Sequence, residues 1–131
     1  MKEPEWVLRE VVLALHEMSL AEHGGSAGLR DEGLLDSALG KPLNQLAYGS
    51  PSVFDLAASY ACGLAKNHPF IDGNKRVAFV VAITFLELNG FQFFASEADA
   101  ALRTLALAAG EMTETSYATW LETNSKKRRR K

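Results

Sequence analysis

Nine consecutive residues, His68-Pro69-Phe70-Ile71-Asp72-Gly73-Asn74-Lys75-Arg76, gather an imidazole, a carboxylate, a glycine, an amide and two cations. An apolar run, Val77 to Leu86, follows at once. Such a loop opening a buried helix points to phosphate handling at a helix N-terminus. His68 is the one side chain here suited to proton transfer near neutral pH, since an unperturbed imidazole has a pKa near about 6.5. It can deprotonate an incoming hydroxyl such as that of Ser or Thr, or serve as a hydrogen-bonded histidine at a helix end. Asp72 offers the hard oxygen that suits Mg²⁺ beside substrate phosphates, or it can cap the helix. Gly73 permits a tight turn and close approach to a ligand. Asn74 can cap the helix or donate its amide to a phosphate. The backbone N–H groups of Gly73, Asn74 and Lys75, with the helix dipole, would form an anion cradle. Arg76 can hold a phosphate in a bidentate fork, and Lys75 adds a point charge. Two cations at a helix N-terminus oppose the dipole, so they call for an anion. Phe70 reads as the structural anchor of the loop. Pro69 stiffens it, and Ile71 is a wall of the site or a core contact.

Helical periodicity runs nearly throughout the chain. Leu8, Val11, Val12, Leu15 and Met18 mark an apolar stripe on a first helix, roughly residues 5 to 22. A loop with Gly24, Gly25 and Gly28 follows, and Asp31 is a good N-cap for a short helix carrying Leu34, Leu35, Ala38 and Leu39. Gly40 and Pro42 should stop that helix. Residues 41 to 51 then read as a loop or small hairpin. The pattern predicts a third helix from Val53 to Lys66, with Val53, Leu56, Ala57, Tyr60, Ala61 and Leu64 inward. A fourth runs from Asn74 to Leu88 and ends at Asn89-Gly90. Phe91 to Phe94 is an extended connector. Ser96 and Asp99 resemble a capping box for a fifth helix ending near Gly110, and a last helix spans Thr113 to Glu122.

The expected fold class is therefore all-α: one compact domain over residues 1–124, with a disordered basic tail over 125–131. Hydrophobic residues make up 47% of 131 positions, enough for a core without a metal or disulfide staple. Cys62 is the only cysteine and reads as a small buried apolar residue. The net charge of −2 conceals an asymmetry. Residues 126–131 are all basic, which leaves 8 of the 14 basic residues against all 16 acidic ones elsewhere, near −8. An acidic body argues against nucleic acid as the main partner. The acidic N-terminus lacks the features of a signal peptide, and no apolar run approaches the about 20 residues of a membrane span. A soluble, cytoplasmic protein with no membrane partner is expected. His16, His23 and His68 lack the spacing of a paired-histidine metal site.

The nine-residue stretch resembles the Fic/Doc signature, HxFx(D/E/N)(G/A)N(G/K)R. The likeness continues outside it. Gly24-Gly25, Gly28-Leu29-Arg30-Asp31 and Gly33-Leu34-Leu35 look like the segment upstream of the motif in Doc (death-on-curing) toxins. Tyr60-Ala61, Phe85-Leu86 and Asn89-Gly90 fit the same pattern, so the resemblance covers roughly residues 5 to 122.

That resemblance implies a compact Fic/Doc-type helical bundle that uses ATP and Mg²⁺. It implies His68 as general base, Asp72 as the Mg²⁺ ligand, and Gly73, Asn74, Lys75 and Arg76 as phosphate-binding positions. It makes residues Lys41 to Ser50 the flap that aligns a target peptide by strand addition. Most Fic enzymes have Gly at the position of Lys75 and transfer AMP. Doc-type proteins have Lys there and transfer the γ-phosphate. The implied function is a toxin phosphorylating a Ser or Thr hydroxyl of a target protein, with translation elongation factor Tu as the family's target. The alternative within the family is protein adenylylation. The alternative from another class is a non-catalytic module binding an anion or nucleic acid. An inhibitory (S/T)xxxE(G/N) motif is missing from the sequence, because Gly28 stands four residues before Glu32-Gly33. The resemblance then implies inhibition in trans by a Phd-like antitoxin.

Overall fold

The computed structural model describes residues 3–128, and within them six helices surround one hydrophobic core. They are α1 Arg9–His23, α2 Glu32–Ala47, α3 Val53–Asn67, α4 Asn74–Leu88, α5 Glu97–Ala109 and α6 Glu114–Thr123. The strands β1 Phe91–Phe93 and β2 Ser125–Lys127 pair antiparallel. The all-α fold expected from the sequence is the one observed.

Helix α3 is the axis of the core. Phe54 and every residue from Leu56 to Ala65 are buried. That includes Ala58, Ser59, Cys62, Gly63 and Ala65, beyond the one face read from periodicity. A helix buried all round needs small side chains so that neighbours can close on every side. Gly63 shows how near they come: a Cβ there would lie 3.1 Å from Ala38 Cα of α2. Ser52 and Asp55 form a complete capping box that fixes where α3 begins.

Several expectations are corrected. Helix α1 starts at Arg9 and not near residue 5, because the preceding segment is tied down in extended form. Val7 N donates to Tyr60 Oη at 3.1 Å, and Glu5 exchanges two hydrogen bonds of 2.9 Å with the Asn89 side chain. The buried face of α1 is Val12, His16 and Ser19. Leu8, Val11 and Met18 are exposed.

Gly40 and Pro42 do not stop α2, which runs on to Ala47. The expected loop or hairpin over 41–51 is helical except for its last few residues. An interior proline costs a helix about 3 kcal/mol. Here Leu35, Ala38 and Pro42 form one buried stripe, so packing against α3 offsets the lost hydrogen bond.

The stretch expected as a disordered tail from 125 begins as β2, which continues the domain. Phe91, Gln92 and Phe93 pair with Lys127, Lys126 and Ser125, and Arg128 N bonds Gly90 O at 2.9 Å. Phe91 and Phe93 pack on Phe54 and Trp120, so β1 is anchored and its edge is free to pair. Residues 129–131 of the expected tail lie outside the described residues.

Helix α5 opens with Ser96 Oγ accepting from Asp99 N, but only half of the expected capping box forms. Asp99 is drawn away instead to Trp120 Nε1 at 2.8 Å and to Arg103. Among the described residues no helix is long and apolar enough to cross a membrane.

Candidate active site

The loop between α3 and α4 is held in a conformation that its own residues would not adopt alone. Its first residue, His68, caps α3 in the left-handed region at φ 50, the only positive φ outside glycine among the described residues. That conformation costs a non-glycine residue about 1–2 kcal/mol. The segment after the glycine-rich loop offsets this strain. Arg30 Nε donates to His68 O at 2.7 Å and Arg30 Nη2 to Asn67 O at 2.9 Å. These are the last carbonyls of α3, where a cation also complements the dipole. The backbone joins in: Arg30 N and Asp31 N both donate to Pro69 O, and Ile71 N donates to Gly28 O at 3.0 Å. Leu29 and Phe70 thus form an isolated antiparallel bridge.

Phe70 is 2% exposed, as expected of an anchor, and its ring stacks on His16. Ile71 is exposed and is not a core contact. Asn74 staples the loop across its base. Its Oδ1 accepts from Phe70 N at 2.9 Å and its Nδ2 donates to Phe70 O at 2.9 Å. The same Nδ2 lies 3.3 Å from His68 Nδ1. The Asn74 side chain is therefore committed to the loop, and only its backbone N–H remains for a phosphate.

Asp72 is exposed at the turn. Oδ1 accepts from Gly73 N at 2.9 Å and Oδ2 from Ser26 N at 3.2 Å. Each oxygen keeps a lone pair. The approach is open because Gly25 has no side chain, and a Cβ there would sit 2.9 Å from Oδ2. An exposed carboxylate with spare lone pairs has the chemistry of one ligand of a Mg²⁺ ion that takes its other ligands from phosphate and water. No cluster of three or more metal-ligating side chains occurs among the described residues.

Gly73 is the N-cap of α4, in the left-handed region at φ 77 and with no side-chain cap. The first bond within the helix runs from Val77 N to Gly73 O. The N–H groups of Asn74, Lys75 and Arg76 meet no acceptor among the described residues. These free N–H groups lie one residue on from the set expected from the sequence, since Gly73 N is taken by Asp72. Lys75 and Arg76 are exposed and make no ion pair among the described residues. Their side chains line the end of a cavity of about 550 Å³ between α1, α4 and α5. Its walls include Leu15, Met18, Phe79, Val80 and Leu105. Ser19, on the same wall, has a buried Oγ without a partner among the described residues.

Hydrogen bonds within the loop join His68 to Asn74, Asn74 to Phe70 and Asp72 to Gly73, whereas Lys75 and Arg76 line a cavity whose walls include neither His68 nor Asp72. Reading the sequence missed the roles of Arg30 and His16. Arg30 gave no signal beyond its family context. His16 falls in register with Val12 and Ser19, a weaker stripe than the apolar one beside it.

A family model described as the Fic/DOC family matches residues 6–86. The chain is 36% identical over 110 residues to a protein named protein kinase doc from Escherichia phage P1, covering 83% of this chain and 86% of that one. It is 42% identical over 94 residues to a protein named toxin Doc from Mycolicibacterium smegmatis, covering 70% of this chain and 69% of that one.

Proposed function

Because the chain belongs to the Fic/DOC family, we propose that it is a Doc-type toxin that transfers the γ-phosphate of ATP to a Ser or Thr hydroxyl of a target protein in the cytoplasm. The names of its two relatives, a toxin and a protein kinase, support this reading. The observation that carries it is the first turn of α4, where three backbone N–H groups without acceptors stand beside Lys75 and Arg76. That array suits a polyphosphate chain, and the loop leading into it begins with His68.

In this reading the acceptor hydroxyl gives its proton to His68 as its oxygen attacks the γ-phosphorus, and ADP leaves. The ring serves as base through Nε2 when its proton sits on Nδ1, which gives up the long contact with the Asn74 amide. Arg30 fixes the His68 backbone and so the origin of the ring. The N–H groups of Asn74, Lys75 and Arg76, with the two cationic side chains, hold the phosphates and stabilise developing charge. Asp72 would hold Mg²⁺, which when bound neutralises phosphate charge. Elongation factor Tu is the target that the family resemblance implies. Of the expected flap over Lys41 to Ser50, only Tyr48 to Ser50 lie outside the helices.

The partner in this proposal is a Phd-like antitoxin. The cavity between α1, α4 and α5 has apolar walls of Leu15, Met18, Phe79, Val80 and Leu105, and Glu22, His23, Lys75, Arg76 and Glu97 supply charged or polar groups to its lining. An amphipathic antitoxin segment seated there would cover Met18 and Leu105, offer Ser19 Oγ a partner and close the phosphate site. The test is expression in a bacterial host. The parent chain should arrest growth, His68→Ala should not, and co-expression of the neighbouring antitoxin gene should relieve the arrest. Arrest by His68→Ala equal to that of the parent would sink the enzymatic reading in favour of a binding module.

A further inference from the structure

One peptide of the loop is gripped from α1. His16 of α1 is 3% exposed. Its ring stacks on Phe70 with centroids 3.7 Å apart and planes 12° apart. Its Nε2 lies 2.8 Å from Asp72 O. The partner is a carbonyl, so Nε2 carries the hydrogen and donates it. The same peptide is held at its other end, where Gly73 N donates to Asp72 Oδ1. Asp72-Gly73 is a peptide prone to rotation, because glycine accepts either sign of φ. A half-turn would break both bonds and turn the Asp72 carbonyl oxygen to the side that Gly73 N–H now faces, next to the first turn of α4. An acceptor oxygen there would repel the anion that Asn74 N, Lys75 N and Arg76 N attract.

We propose that His16 is a positioning residue whose Nε2–H locks the Asp72–Gly73 peptide in the orientation that lets the α4 turn bind a phosphate chain. The proposal rests on the phosphate-binding reading of that turn. A side chain that only filled the core would need no donor, and burying an imidazole without a partner is costly.

Two substitutions separate the lock from the packing. His16→Phe keeps an aromatic ring on Phe70 and removes the donor. His16→Gln restores an N–H near the Nε2 position and removes the ring. Titration calorimetry with sodium tripolyphosphate and with MgATP reads the site, and thermal melts read the fold. The expected result is that His16→Phe loses affinity for both probes by about tenfold or more, as the loss of a buried hydrogen bond implies. His16→Gln should stay within about threefold of the parent, even where it melts lower. Affinity that follows melting temperature in both variants, or full affinity in His16→Phe, overturns the proposal. A parent chain that binds neither probe overturns the phosphate reading itself, which is a separate outcome. ¹⁵N NMR of the parent gives a check that needs no variant: a neutral His16 protonated at Nδ1 instead of Nε2 also overturns the lock.

Discussion

Replacing Asn74 by alanine would test how the site is built more sharply than removing any of its charges. The Asn74 side chain satisfies both backbone groups of Phe70, each at 2.9 Å. Asn74 is 6% exposed and Phe70 2%, so water cannot take over either bond without opening the loop. Leaving a buried N–H or C=O unpaired costs about 1–3 kcal/mol each, so the pair is worth about 2–6 kcal/mol. Unfolding entropy near about 2.1 cal/mol/K per residue gives a chain of 131 residues about 0.28 kcal/mol/K. The lower bound of the cost is then a fall of about 7 °C in melting temperature. Asn74→Asp should fall as far, since it keeps the acceptor for Phe70 N but sets a carboxylate oxygen against Phe70 O. Circular dichroism melts of the parent and both variants measure this. A melting temperature for Asn74→Ala within about 2 °C of the parent would refute the staple.

Gly25→Ala would push a Cβ to 2.9 Å from Asp72 Oδ2 at a φ of 123, whereas Gly24→Ala, also at positive φ, meets nothing within 4 Å. Gly25→Ala should therefore require more Mg²⁺ for activity than Gly24→Ala, and equal Mg²⁺ dependence would count against Asp72 as the ligand. Burial pushes the Tyr117 hydroxyl up to about 12 from 10.0, with the bond to Thr104 acting the other way. A raised folded pKa gives stability that is full below pH 10 and lost as pH rises through about 12. Stability against urea should thus fall between those values in the parent, and less steeply in Tyr117→Phe. Burial first, and the nearby Glu114 second, push the Cys62 thiol up, so native Cys62 should resist alkylation at neutral pH and react once unfolded. Rapid labelling of the native chain would contradict that burial.

The sequence made the α3–loop–α4 unit legible because its boundaries are chemical. Gly73 and Asn89-Gly90 punctuate it, and an unbroken apolar run fills α4. It was less informative where tertiary contacts overrode local signals. Gly40 and Pro42 say stop, yet Ala38 against Gly63 carries α2 onward. Ser125-Lys126-Lys127 has no strand pattern and becomes one only because β1 is anchored by Phe91 and Phe93. In α1 the apolar stripe of Leu8, Val11 and Met18 faces outward, and two of the three lie outside the cavity walls; the inward face is marked by Val12, His16 and Ser19. The site's residue types were readable, but their division of labour was not. Nothing in the spacing says that Asn74 spends its side chain on Phe70, or that His16 and Arg30 hold the loop from elsewhere in the chain.

The most direct test of the central claim is transfer of label from ATP. The parent chain, incubated with Mg²⁺ and a bacterial lysate, should move label from γ-labelled ATP onto a target protein and none from α-labelled ATP, and His68→Ala should move neither. Label moving only from the α-position would contradict phosphotransfer and establish AMP transfer by the same loop.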